Sequence, residues 1–346
     1  MDVNHHNRFS IPDRSFSSLA KRDITRLAES YGLSPNLVGR VNIIVAEMAS
    51  NLAKHSPSGG EILVKAIGKP VKGIEIICYD NGPGIGDLHR MMQDGVSTYG
   101  SAGEGLGAIK RQSDEFDIYS HTGIGTVILS RIYKNKPAVT PVQSITRFEI
   151  GSVMVPKPQE VDCGDGFAIV TKGTDLFMLA LDGLGHGEQA HAAAQQAVET
   201  FCKAPSQNPA ESLRTIHDAI RKTRGAVGFA AHITGKAQHI TYCGVGNIAG
   251  KLFSADGGTM GGSYKNIISY NGIIGHNIPT SLHNQQLDWG RNKLLIVHSD
   301  GLKSRWDLGK YPGLHRHHAS IIAAVLYKDN SRHTDDTLVL VCKAKL

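Results

Sequence analysis

Apolar positions in the first third of the chain repeat with two different periods. Val38, Val41, Ile44, Val45, Met48, Ala49 and Leu52 recur at helical spacing behind Ser34-Pro35. Serine at the N-cap and proline in the first turn mark a helix start, so the pattern predicts a buried amphipathic helix. Glu47, Asn51 and His55 are each four apart and share a face on the rim of the apolar stripe. Taken alone, that face reads as the partly solvated edge of a core helix. Residues 61–67 and 73–79 read as strands joined by a turn with Gly68 and Pro70. The second strand runs into Asp80-Asn-Gly-Pro-Gly. The stretch Gly100-Ser-Ala-Gly-Glu-Gly-Leu-Gly then opens a helix expected at 106–111. Strands at 116–120 and 126–132 flank a His-Thr-Gly-Ile-Gly turn.

In the second half the apolar runs are short and end in acids. The run Leu-Phe-Met-Leu-Ala at 176–180 reads as a buried strand and leads into Asp182-Gly-Leu-Gly-His-Gly. An Ala-rich helix is expected at 189–201. Asp165, in Cys163-Gly-Asp-Gly, precedes an apolar run at 167–170 and a Lys172-Gly173 turn, a hairpin pattern that puts Asp165 and Asp182 at one open end. A further run at 293–298 reaches Asp300-Gly301, and Asp335-Asp336 comes just before the strand expected at 337–341. Two strands end in Asp and two begin after Asp, and in antiparallel neighbours these ends share one edge of a sheet. An Asp-Gly after a strand is commonly only a turn. Four carboxylates at one edge would repel strongly unless cations sat between them.

Residues from about 149 to 346 resemble the metal-dependent (PPM-type) serine/threonine phosphatases, in particular their bacterial SpoIIE/RsbX branch. Cys163-Gly-Asp-Gly, Asp182-Gly-Leu-Gly-His-Gly, Thr223-Arg-Gly-Ala, Gly244-Val-Gly-Asn, Asn271-Gly-Ile-Ile-Gly, Ser299-Asp-Gly-Leu, Tyr311-Pro-Gly-Leu and Asp335-Asp-Thr carry the resemblance, in that order. It implies a β-sandwich flanked by helices with two Mn or Mg ions at one edge. By the same resemblance Asp182 bridges both ions, the Gly183 carbonyl ligates one, Asp165 supports it partly through water, and Asp300 and Asp335 hold the other. Asp182 and Asp300 are the catalytic candidates on this side. One family feature is missing: the phosphate-contacting arginine of eukaryotic members has no evident counterpart.

Residues 8 to 133 resemble the nucleotide-binding region of the GHKL (Bergerat) ATPases, and within them the anti-sigma-factor serine kinases of the RsbT/SpoIIAB type. The run Leu106-Gly-Ala-Ile-Lys-Arg-Gln-Ser-Asp-Glu-Phe-Asp-Ile, followed by Gly123-Ile-Gly-Thr, is the most kinase-like feature. The resemblance implies an α/β sandwich with ATP and Mg against the sheet. Asn51 would hold the Mg, Asp80 would accept the adenine amino group, Gly82 and Gly84 would let the base approach, and Gly105 and Gly107 would close over the phosphates. Glu47 is the candidate general base, and Lys54 or His55 could offset phosphate charge.

The fold class expected is therefore α+β: an N-terminal GHKL α/β sandwich at 1–138, a linker at 139–148 and a PPM-type αββα phosphatase sandwich at 149–346. Lys134-Asn-Lys-Pro-Ala-Val-Thr-Pro supports the linker, because two prolines in a polar stretch discourage helix and central strand alike. With 346 residues, 40% hydrophobic and 20% charged, the composition is that of a globular protein with ample core. The net charge of +6 is dispersed, with no basic stripe interleaved with aromatics, so no nucleic-acid partner is expected. No apolar run approaches the length of a membrane helix, no secretory signal is evident, and five scattered cysteines suit a reducing cytoplasm. The histidines 315, 317 and 318 read as solvated, His186 as orienting or packing, Cys163 as a packed thiol, and Asn247 and Arg224 as serving local structure.

The function expected is a bifunctional regulator, a serine kinase joined to a phosphoserine/phosphothreonine phosphatase. The resemblance implies a STAS-domain antagonist as partner and a sigma-factor pathway around it. Two opposed activities suggest that one gates the other, with residues 188–221 as the expected gate. Two alternatives stand. The N-terminal half could be an ATP-sensing or anti-sigma-type binding module that transfers no phosphate, or the phosphatase half could be a degenerate scaffold, against which its full set of carboxylates argues.

Overall fold

The computed structural model describes residues 4–91, 105–135, 148–235, 239–254 and 264–344. The chain divides into two compact units, one of His6–Thr140 and the other of Pro141–Leu346 together with Met1–His5. The expected linker at 139–148 lies outside the described residues except for Phe148, which opens a strand.

In the first unit the order is β1 (Asn7–Ile11), α1 (Ser17–Ser30), α2 (Pro35–His55), β2 (Gly60–Ile67), β3 (Gly73–Asp80), α3 (Leu88–Met91), α4 (Gly105–Gln112), β4 (Glu115–His121) and β5 (Gly125–Tyr133). Among the described residues the strands form one antiparallel sheet in the order β1-β2-β3-β5-β4. The seven apolar residues expected to face inward on α2 are all buried. They pack with Ile24 and Ala28 of α1 and Ile109 of α4 against Ile62, Val64, Ile74, Ile76, Cys78, Ile118 and Ile128, which share one sheet face by the period of two. Ser34 occupies the N-cap, but its side chain makes no capping bond, and Pro35 supplies the helix start. The polar pattern of α1 gave no expectation of a helix, although Ala20, Ile24 and Ala28 sit at i, i+4, i+8.

The other face of this sheet carries a row of charge. Lys65 pairs in register with Glu75, Glu75 with Arg131, and Arg131 with Glu115, so the charges alternate across β2, β3, β5 and β4. Arg131 reaches Glu75 at 2.6 Å and Glu115 at 2.9 Å, and His6 Nε2 lies 3.1 Å from Glu75. Glu75 is 1% exposed. Burial alone would push its carboxyl up, but Arg131, Lys65 and His6 together hold it well below the usual carboxylate range.

The second unit runs β6 (Phe148–Val155), β7 (Asp165–Lys172), β8 (Asp175–Gly183), α5 (Glu188–Lys203), α6 (Pro209–Ala219), β9 (Ala226–Ile233), β10 (His239–Val245), β11 (Ala249–Ser254), β12 (Tyr264–Asn266), β13 (Gln285–Asp288), β14 (Lys293–His298), α7 (Ala319–Asn330) and β15 (Thr337–Ala344). Two sheets result among the described residues, in the orders β13-β10-β9-β8-β7 and β12-β11-β14-β15-β6. Phe167, Met178, Ala180, Phe229 and Ala231 of the first face Leu295, Val297, Leu338, Leu340 and Met154 of the second in one core. The alternate residues Phe177, Leu179 and Leu181 turn outward onto α5 and α6. α7 packs on β6 and β15. The layers are therefore helix, sheet, sheet, helix, in agreement with the α+β expectation.

This alternation positions the acids. Asp182 follows Met178 and Ala180 by steps of two, so it continues the face turned toward the second sheet. Asp336 stands in the same relation to Leu338 and Leu340, and Ser299 to Leu295 and Val297. β7 and β8 belong to one sheet and β14 and β15 to the other. The expectation of four carboxylates along one sheet edge is corrected: they meet across the end of the sandwich, brought together by sheet stacking.

Candidate functional site

At that end Asp165 and Asp182 are direct register partners. Asp165 is 3% exposed. Its Oδ2 accepts a hydrogen bond from Ser299 Oγ at 2.7 Å, while its Oδ1 is buried with no partner among the described residues. Burial pushes the Asp165 carboxyl well above its usual range, Asp182 adds to this, and the Ser299 hydroxyl opposes it. Asp182 is pushed up to about 7 by burial and then by the charges of Asp300 and Asp335, partly offset by the Asp300 backbone N–H. Asn247 Nδ2 donates to Asp300 Oδ2 at 3.0 Å, and Arg332 Nε donates to the Asp300 carbonyl at 2.9 Å. Asp335 Oδ1 accepts the Asp336 N–H at 2.9 Å.

Asp336 has a different task from its neighbour. Its oxygens accept the backbone N–H groups of Lys157 and Gly164 at 2.8 and 3.0 Å. It thereby pins the loop that presents Asp165. Gly183 has no room for a side chain: a Cβ would lie 2.7 Å from the Ala190 carbonyl oxygen and 2.8 Å from that of Gly164. Cys163 is buried and its thiol is pushed well above its usual range by burial and by Asp165, which suits a packed residue and no nucleophile. His186 is exposed, so it does not pack in the core, and its Nδ1 lies 2.8 Å from Glu160 Oε1. Asn247, expected to serve local structure, instead holds Asp300. The signal was available, since Gly244-Val-Gly-Asn ends a strand as the Asp-Gly motifs do. His318 caps α7 by accepting from the Ser320 N–H.

The donor set tests whether cations fit. Crowded carboxylates, an orphaned buried oxygen on Asp165 and an Asp182 raised by its neighbours all describe a site short of positive charge, with the hard oxygen donors that Mg and Mn prefer. Among the described residues no three acid, His or Cys side chains converge tightly enough to enclose an ion by themselves. An ion here would therefore complete its shell with carbonyl oxygen, water or substrate.

In the first unit a second constellation forms where α2, α4 and the β3 terminus meet. A Cβ on Gly105 would lie 3.0 Å from Glu47 Oε2 and 3.6 Å from Asn51 Oδ1. Asp80 Oδ1 accepts the Gly82 N–H at 2.7 Å. A Cβ on Gly82 would come within 2.9 Å of the His55 carbonyl oxygen, and one on Gly84, at φ +75°, within 2.1 Å of the His121 carbonyl oxygen. The glycines thus let the loop after β3 lie against the end of α2 and the β4–β5 turn. Gly107 is buried inside α4. The His55 imidazole is lowered by burial and by Lys54, with Asp80 opposing. Gly100 to Glu104 of the glycine-rich stretch lie outside the described residues.

The first unit's sheet, with helices on one face and polar residues grouped at Gly105, has the organisation of an ATPase domain. Residues 16–131 match the model of the histidine kinase-like ATPase domain. RsbT of Bacillus subtilis (strain 168), a serine/threonine-protein kinase, is 35% identical over 111 residues, which are 32% of this chain and 84% of RsbT. The chain belongs to this family of histidine kinase-like ATPases. RsbX of the same organism, a phosphoserine phosphatase, is 28% identical over 143 residues, 40% of this chain and 67% of RsbX. Two solved structures share the sandwich. One comes from a bacterial stressosome system adapted to control secondary messenger signalling, with 26% identity, TM-score 0.51, and coverage of 57% of this chain and 99% of that one. The other is RsbX in complex with magnesium, with 19% identity, TM-score 0.50, and coverage of 59% and 98%. The chain thus joins a kinase-like ATPase to a phosphatase-type sandwich. No described helix is long and apolar enough to cross a membrane.

Proposed function

We propose that the protein is a bifunctional signalling regulator, a metal-dependent phosphoserine/phosphothreonine phosphatase joined to an ATP-dependent serine kinase. The observation that carries the phosphatase is the register pair Asp165–Asp182, the first buried with an oxygen left unpartnered among the described residues and the second half-buried with neighbouring acids pressing on it. Asp182, Asp165, the Gly183 carbonyl, Asp300 and Asp335 would hold two Mg or Mn ions. Such ions, when bound, lower the pKa of water and neutralise charge developing on phosphoryl oxygens. The chain's own residues supply rigidity. Ser299 and the Asp336-pinned loop fix Asp165, and Asn247 aims Asp300, so little reorganisation is needed as charge develops.

In the first unit Asn51 would hold Mg on the nucleotide phosphates, Asp80 would take the adenine amino group, Gly82 and Gly84 would admit the base, and Gly105 and Gly107 would lie along the phosphates. Glu47 would accept the proton of the attacking serine hydroxyl. Its position beside Asn51 and Gly105 supports transfer over mere nucleotide sensing. The substrate is a serine- or threonine-phosphorylated protein of a partner-switching pathway, with a STAS-domain antagonist as the favoured partner and the cytoplasm as its compartment. Both RsbT and RsbX likeness support that reading. The test is Mn-dependent hydrolysis of a phosphoserine peptide by wild type and Asp182→Asn, each with and without ATP. Metal-dependent turnover that Asp182→Asn abolishes supports the phosphatase, and a change on adding ATP supports coupling between the activities. Metal-independent turnover, or turnover that survives the substitution, sinks it.

A further inference from the structure

At the end of β14 two neighbouring side chains leave in opposite directions. Ser299 follows Leu295 and Val297 by steps of two, toward the facing sheet, where its Oγ donates to Asp165 Oδ2 at 2.7 Å. The same Oγ accepts the Leu338 N–H at 2.9 Å, so the hydroxyl is held from both sides. His298 leaves by the other face. That is also the face of Lys251, which stands opposite Ile296 in the β11–β14 ladder.

His298 is buried, and both of its ring nitrogens are engaged. Trp306 Nε1 donates to His298 Nε2 at 3.1 Å, and His298 Nδ1 lies 2.8 Å from the Ser299 carbonyl oxygen. An indole N–H can only donate, so Nε2 is the acceptor. The ring proton therefore sits on Nδ1 and is donated to the Ser299 carbonyl. That carbonyl also accepts the Leu302 N–H, at a long 3.3 Å. Ser299 and Leu302 bracket Asp300 and Gly301, so this carbonyl is the root of the turn that presents Asp300, and the imidazole is its firmer hold.

Trp306 is itself fixed twice. Lys251 Nζ donates to the Trp306 carbonyl at 2.9 Å and lies 4.1 Å from the centre of its ring. The Phe253 ring packs on it at 5.8 Å. The chain thus runs from Asp300 out to Trp306 and folds back through the indole onto the residue before Ser299.

We propose that His298, its tautomer set by Trp306, is a positioning residue for the acidic site. It steadies Ser299, which serves two proposed metal ligands at once: Asp300 through the turn on its carbonyl, and Asp165 through its hydroxyl. The inference rests on the phosphatase reading and adds to it two residues that lie on the far face of the sheet from the acids.

The test uses the full chain and compares wild type, His298→Asn, His298→Gln and Trp306→Phe. The Asn amide nitrogen falls where Nδ1 was and keeps the donor to Ser299, whereas the Gln amide reaches the place of Nε2 and keeps only the partner of Trp306. Each loses one of the two bonds, so their unfolding temperatures in chelator are expected to fall alike. Mn affinity by calorimetry, and kcat with a phosphoserine peptide, then separate them. His298→Gln weakens Mn binding or lowers kcat by about 10–100-fold, while His298→Asn stays close to wild type in both. Trp306→Phe keeps the ring packing but frees the tautomer, and its loss falls between the two. A His298→Gln protein that binds Mn and turns over as wild type does overturns the assignment. So do Asn and Gln variants that lose function equally, in step with their stability, because that would mark a merely structural role. Unchanged Mn affinity and kcat in Trp306→Phe overturns the part given to the indole. A wild type that neither binds Mn nor turns over peptide overturns the phosphatase reading itself, an outcome distinct from the others.

Discussion

Asp165 stands directly opposite Asp182 in the β7–β8 ladder. Like charges at directly opposed positions destabilise a sheet, and burial worsens the repulsion. The metal-free protein thus carries strain that neutralising one acid relieves. Asp182→Asn keeps an oxygen to accept the Asp300 N–H while removing the charge. It is expected to raise metal-free stability by roughly 1–3 kcal/mol and to cancel the stabilisation that Mn gives wild type. Thermal unfolding in chelator and in Mn measures both; a variant less stable than wild type in chelator would contradict the account.

Asn247 offers a finer test, because it touches a proposed ligand without being one. Its amide fixes Asp300 Oδ2 at 3.0 Å. Losing a partner that orients a metal ligand typically costs about 10–100-fold in affinity or activity. Asn247→Ala is expected to weaken Mn binding within that range and to leave the fold intact. Calorimetric titration with Mn decides; unchanged affinity would return Asn247 to a purely local role.

Much of this was legible in the order of residues. The helical repeat from Val38 to Leu52 and the hairpin bracketing Asp165 and Asp182 were readable because each is a local period set against one buried face. What was not legible depended on tertiary stacking. Nothing in the spacing of Asp300 and Asp335 tells that their strands lie in a different sheet from those of Asp165 and Asp182. Asp336 and Asp335 are adjacent and chemically identical, and only parity with Leu338 and Leu340 assigns the former to pinning Gly164. The Lys65–Glu75–Arg131–Glu115 row is not legible in the sequence because each charge reads singly as a solvated strand position, and register alone joins them.

That row makes a pH prediction. Glu75 is held well below the usual carboxylate range, so its contribution is complete above the unfolded value of about 4.3. It is lost as pH falls through the folded value. Glu75→Gln removes the buried anion that Lys65 and Arg131 share and leaves Arg131 its bond to Glu115, a change that costs about 3–5 kcal/mol. Glu115 is half-exposed, and Glu115→Gln is expected to cost less than about 1 kcal/mol. Urea unfolding followed by circular dichroism from pH 7 down to about pH 2, through and below the unfolded carboxylate value, separates them. The stability of wild type falls toward acid, while the Glu75→Gln curve starts lower and is flatter. Parallel curves would show that the row does not titrate with folding.

Glu47 and Asn51 occupy successive turns of α2 and both face Gly105, yet their proposed tasks separate cleanly. A base acts only on the chemical step, whereas a ligand to the nucleotide's metal acts on binding. Glu47→Ala should keep ATP affinity and lower phosphate transfer to a partner protein by about 10²–10⁴-fold, whereas Asn51→Ala should lose Mg-dependent ATP binding itself. Calorimetry with ATP and Mg, beside transfer of radiolabelled phosphate, reads the two effects apart. If Glu47→Ala transfers as well as wild type, the base lies elsewhere. If wild type binds ATP and transfers nothing to any serine-bearing partner, the first unit is a nucleotide sensor, and the ATP effect on peptide hydrolysis becomes its output.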